Sequence, residues 1–127
     1  MKPTSLMLVA AWCAAIGVAA AQAQAPDEER RAAITVLRAI NTAENAVKAS
    51  TGKFLPMAEL LDHPMMARVK PNIAVNGNTF AHGGAGIRLA LSADATQYVV
   101  TVVPAATSGT AAFTDERGLI YTGKALE

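Results

Sequence analysis

Residues 27–51 read DEERRAAITVLRAINTAENAVKAST, and this stretch decides the fold. Ile34, Leu37 and Ile40 recur at helical spacing, and Ala43, Ala46 and Val47 extend the same stripe. Arg30, Arg31, Arg38, Glu44 and Lys48 lie mostly off it, which predicts a helix with one buried and one solvated face. Asp27, Glu28 and Glu29 suit the positive end of a helix dipole, and Gly52 suits a helix end. The many alanines let a second layer approach closely, as packing on a sheet requires.

Beyond the helix, Gly52-Lys53-Phe54 turns the chain and Pro56 opens a short second helix over about 57–62. Leu60 and Leu61 should bury there, with Glu59 and Asp62 in water. His63-Pro64 stops it, because a residue before proline is pushed out of the helical region. From 65 to 86 the pattern weakens. Asn76-Gly77 marks a turn, His82-Gly83-Gly84-Ala85-Gly86 reads as a loop, and a short strand is expected around 73–75 or 79–81.

The C-terminal third reads as strands. Ile87, Leu89 and Leu91 alternate with Arg88 and Ala90, as in a half-buried strand, and Asp94-Ala95 falls in the turn after it. Tyr98 to Val103 is a β-branched run that Pro104 ends. A third strand is expected around 111–114, a tight turn over 115–118, and a last strand over 119–121. Short connections pair consecutive strands as hairpins. The fold class predicted is therefore α+β, with a long N-terminal helix packed on a small antiparallel β-sheet.

Upstream, Lys2 precedes an apolar run of sixteen residues from Leu6 to Ala21, followed by QAQAP. A basic start, a short apolar core and an A-x-A site are the parts of a secretory signal peptide. Cleavage is expected after Ala23, because the alternative cut after Ala25 would place Pro26 directly behind it. The run is also shorter than the roughly 20 residues that a spanning helix needs. Residues 1–23 are thus expected to be a signal peptide and 24–127 a single exported domain, periplasmic or extracellular. Cys13, the only cysteine, would leave with the signal, so packing and not disulfides must hold the domain. Loss of Lys2 leaves ten basic residues against ten acidic ones. No basic surplus steers such a domain to nucleic acid or to acidic lipid, and no later run is long enough to enter a membrane.

Several stretches together resemble the globular half of type IV pilins and of the pseudopilins of type II secretion. They are Arg38 to Glu44, Gly52-x-Phe54, Met57-x-x-Leu60, Tyr98 to Pro104, and Ser108 to Tyr121. The last is similar to a family close of the form GT-x-x-F-x-D-x-x-G-x-I. The resemblance implies a pilin-like fold and protein partners among pilus or secretion components. The chain departs from the family at its start, where it lacks Gly-Phe-Thr-Leu-x-Glu and a retained apolar helix. It therefore looks like a pilin-type domain detached from filament assembly.

Chemistry-bearing patterns are sparse. His63 and His82 are the only histidines, and with Asp62 they fall short of a zinc ligand set. Asp94, Asp115 and Glu116 lack the alternation of a calcium loop, whereas Asp115 and Gly118 are the preferred ends of a β-turn. Gly83-Gly84-Ala85-Gly86 precedes a strand and lacks the lysine of a phosphate loop. Ser50, Ser92 and Ser108 have no G-x-S-x-G frame, and Glu44 with Glu59 is read as two solvated carboxylates. No catalytic, cofactor or metal residue is assigned. The interaction surface is expected near Met57, Met65 and Met66, with Asn76 and His82, because methionines line adaptable grooves as well as cores. The expected function is protein–protein interaction. The alternatives are a small periplasmic enzyme or ligand-binding protein, and an accessory subunit of a pilus or type II secretion machine.

Overall fold

The computed structural model describes residues 2–106 and 109–124, with side chains from residue 27 onward. Helix α1 runs unbroken from Lys2 to Thr51. The helix expected over 27–51 is thus the second half of a longer one, and Asp27 to Glu29 do not sit at its start. In the full-length chain the dipole argument made for them does not apply; it holds only for a chain cut behind Ala23. Gly52 follows the last turn with φ of 80°, and its N–H donates to the Lys48 carbonyl at 2.8 Å. That left-handed residue is what releases the chain from the helix.

A one-turn helix α2 (Met57–Leu60) follows, shorter than the 57–62 expected. Two single 3₁₀ turns, Pro64–Met66 and Lys70–Asn72, then lead to the sheet. His63 caps the first of these, its Nδ1 accepting the Met65 N–H at 3.2 Å.

The strands are β1 (Ile73–Asn76), β2 (Thr79–His82), β3 (Ala85–Leu91), β4 (Tyr98–Val103), β5 (Thr110–Asp115) and β6 (Ile120–Lys124). They form one antiparallel sheet in strict chain order. Both candidate strands between 73 and 81 exist and pair across the Asn76-Gly77 turn, with Asn76 opposite Thr79. Only Gly83 and Gly84 form the glycine turn; Ala85 and Gly86 already belong to β3, because Ala85 pairs with His82.

One face of the sheet packs on α1. Register places Phe80, Ile87, Val102 and Ala112 in one inward row and Leu89, Val100, Thr114 and Ile120 in the next. Opposite them α1 buries Ala33, Val36, Leu37, Ile40, Ala43 and Val47. Phe54 meets Tyr98 edge to face at 4.6 Å, closing the end of the core near Gly52. The protein is α+β, one helix covering a six-stranded antiparallel sheet. Among the described residues no helix is long and apolar enough to cross a membrane.

Candidate functional site

Two polar side chains on the buried stripe of α1 break its apolar pattern. Asn41 follows Leu37 by four positions and Glu44 by seven, so helical geometry turns all three the same way. Glu44 is fully buried, which corrects its reading as a solvated carboxylate. Its Oε2 accepts the Leu55 N–H at 2.9 Å, while Oε1 has no partner among the described residues. Burial raises its pKa from 4.5 to about 7, and the Leu55 bond opposes that rise. Glu59 is exposed and does not join it.

Asn41 ties the helix to the sheet. Tyr98 donates its hydroxyl to Asn41 Oδ1 at 2.5 Å, and Asn41 Nδ2 donates to Thr114 Oγ1 at 2.9 Å. Thr114 passes its own proton to the Leu119 carbonyl at 2.8 Å. Burial, then the nearby Glu44 carboxylate, holds the Tyr98 phenol well above its ordinary range. The chain of bonds is complete at each atom it uses, and it locks one register of helix on sheet.

The opposite face of the sheet has no cover among the described residues. Arg88, Thr101, Phe113 and Tyr121 form one row across β3 to β6. Phe113 and Tyr121 stack at 4.7 Å with their rings 16° from parallel. Val99 and Val103 flank that row on β4, and both are exposed, Val103 by 58%. Between β2 and β4 the face dips into a shallow depression bordered by Thr79, Arg88, Thr101 and Val103. An outward face of an antiparallel sheet is ordinarily polar. Here two valines and two aromatics stand exposed around Thr101, with Arg88 beyond it, and exposed apolar groups gathered on one face are the kind of surface that marks contact sites.

A cavity of about 280 Å³ opens at the other end of the helix–sheet seam. Ala32, Ala33 and Val36 of α1 face Ala85, Ile87 and Val102 of the sheet, and Glu28, Glu29, His82 and Thr110 complete its lining. The small alanines leave the space that Leu37 and Ile40 fill further along.

The residues singled out in the sequence separate. Met57 and Met66 are buried and fill the core, whereas Met65 is 53% exposed. Asn76 is exposed at the β1–β2 turn, and His82 lies in the cavity wall. The two buried methionines therefore present no surface beside Met65 and Asn76. Asp115 forms an ion pair with Arg117 at 2.7 Å, and its carbonyl accepts the Gly118 N–H at 2.9 Å, as a turn requires. Asp94 accepts the Ser92 hydroxyl and then the Thr96 hydroxyl and N–H, which lower its pKa to about 2. Among the described residues no three His, Cys, Asp or Glu side chains converge as metal ligands. Ser108 lies outside the described residues. No family model, no curated protein and no solved structure matches this chain.

Proposed function

We propose that the protein is an exported, pilin-like domain that works through protein–protein contact on the outer face of its sheet. The observation that carries this reading is the apolar patch of Val99, Val103, Phe113 and Tyr121 on the face that α1 does not cover. Burying it on a partner removes apolar surface from water at about 25 cal/mol per Å². The sequence resemblance to pilins and pseudopilins supports components of a pilus or secretion machine as the partner class. The long helix running into a meander sheet is consistent with that resemblance.

Export is supported by the signal-like segment and by Pro26. Inside a continuous helix this proline removes one backbone hydrogen bond. After a cut behind Ala23 it would be the third residue of the chain. In a first helical turn the N–H groups have no intrahelical acceptor, so proline costs nothing there.

Site-specific photo-crosslinking in the producing cell tests the contact. A crosslinker at Val103 should capture one discrete partner, and one at exposed Glu59 should not. Capture that is equal at both positions, or that survives Phe113→Lys, would count against this surface. Intact mass of the exported species should begin at Gln24; a full-length, membrane-retained chain would overturn the export reading.

A further inference from the structure

We propose that the cavity between α1 and the β2–β3 turn is a binding site for an ammonium group carried on a short aliphatic stem. The lining is divided along its length. Ala32, Ala33, Val36, Ala85, Ile87 and Val102 make an apolar interior, and Glu28 and Glu29 lie one helical turn before the first two. The i to i+4 relation puts Glu28 on the row of Ala32 and Val36, and Glu29 on the row of Ala33. Two carboxylates therefore sit at one end of a greasy slot, with the His82 ring and Thr110 also in its wall.

Neither carboxylate forms an ion pair among the described residues. The neighbouring Arg30 and Arg31 are exposed and do not line the cavity, so no described residue neutralises the carboxylates. The volume, about 280 Å³, lies just below the range of about 300–1,000 Å³ that drug-sized ligands occupy. A nucleotide or a folded element is too large. An anion would meet two like charges. A neutral hydrocarbon would fill the apolar interior and leave the two carboxylates at the mouth without a counter-charge. An aliphatic ammonium satisfies both ends at once: its stem takes the alanine- and valine-lined interior and its head meets the carboxylates. A free alkylamine and the lysine side chain of a polypeptide share this chemistry.

The test is a titration of the purified, isotope-labelled protein with hexylammonium, followed by backbone amide shifts. Saturable shifts are expected at Ala33, Ala85 and Ile87, with none at Asn76 or Phe113. Hexanol and hexanoate should bind at least tenfold more weakly. The Glu28→Gln/Glu29→Gln double variant, which keeps the size and shape of both side chains, should weaken hexylammonium at least tenfold with the unliganded spectrum preserved. A second variant, Ala32→Leu, should block binding by filling the slot. A lysine tripeptide with blocked ends that competes as well as hexylammonium would identify a partner's lysine as the source; failure of the tripeptide alone would identify a small free amine. Absence of saturable shifts, equal binding of hexanol, or unchanged affinity in the double glutamine variant would overturn the proposal. None of these outcomes depends on the outer sheet face.

Discussion

Glu44 Oε2 accepts the Leu55 N–H at 2.9 Å while its Oε1, equally buried, has no partner among the described residues. The carboxyl is thereby asked to hold the loop after α1 while sitting where a charge is poorly solvated. Protonation relieves that conflict. A group whose folded pKa is raised from 4.5 to about 7 contributes its full stability below pH 4.5 and loses it as pH rises through 7. The span corresponds to about 3 kcal/mol lost by pH 8. Asp94 acts in the opposite sense, since its pKa is lowered to about 2 and its contribution fades as pH falls below 3.8. Urea unfolding should therefore show greatest stability near pH 4 to 5. Glu44→Gln should flatten the decline above pH 5; a decline of unchanged slope would dissociate it from Glu44.

Tyr98 gives the next test. Its hydroxyl is the donor seen on Asn41 Oδ1, at 2.5 Å, and Asn41 is buried. Tyr98→Phe keeps the ring, and with it the edge-to-face contact with Phe54. It leaves the Asn41 oxygen unsatisfied, which costs about 1–3 kcal/mol. Denaturant midpoints of wild type and variant measure this directly. A loss below about 0.5 kcal/mol, under the net worth of an ordinary hydrogen bond, would show that the bond is not important to the fold.

Much of this architecture was legible in the residues, for reasons that also explain what was not. Leu37, Ile40 and Val47 announce the buried stripe because their type and spacing agree. Asn76-Gly77 and Asp115 to Gly118 announce turns because few residues accept those backbone angles. Glu44 and Asn41 were hidden because residue type points to water while position points to the sheet. Counting positions from Leu37 would have found them; counting charges could not. The strands β1 and β2 are four residues each, too short for alternation to declare itself. The cavity at Ala32 and Ala33 is a property of how helix and sheet separate, which no local pattern encodes. Met57 and Met66 look the same in sequence as Met65, and only packing tells the two core fillers from the exposed one.

Ala95 offers a prediction of opposite sign. It has φ of 56° in the β3–β4 connection, and it is the one non-glycine in the left-handed region among the described residues. Its carbonyl accepts the Phe54 N–H at 2.9 Å, which anchors that conformation to the end of the core. A left-handed L-residue carries a cost of about 1–2 kcal/mol. Glycine removes that strain but loses more freedom on folding, by about 0.5–1 kcal/mol. Ala95→Gly should thus stabilise the protein by up to about 1.5 kcal/mol, read as a higher melting temperature. Gly52→Ala, at φ of 80° with open space around it, should destabilise through backbone strain alone. Opposite signs at the two sites would confirm the backbone argument; a destabilised Ala95→Gly would refute it.

Leu37 tests whether the helix and sheet share one core. It has no exposed surface and stands between Ala33 and Asn41 on the stripe that meets the inward rows of the sheet. Truncation to alanine removes the transfer energy of the lost methyl groups and leaves a cavity that the neighbours refill only in part. The expected cost is about 2–5 kcal/mol, and the upper part of that range applies if the polar bonds of Asn41 hold the helix from collapsing inward. Ile34→Ala, three residues earlier and only half-buried, should cost clearly less. Because Asn41 and Leu37 are one turn apart, Leu37→Ala combined with Tyr98→Phe should depart from additivity. With the Tyr98 bond gone the helix is freer to settle toward the sheet, so the double variant should lose less than the two single losses together. Simple additivity would mean that the polar bonds and the apolar packing act independently along α1.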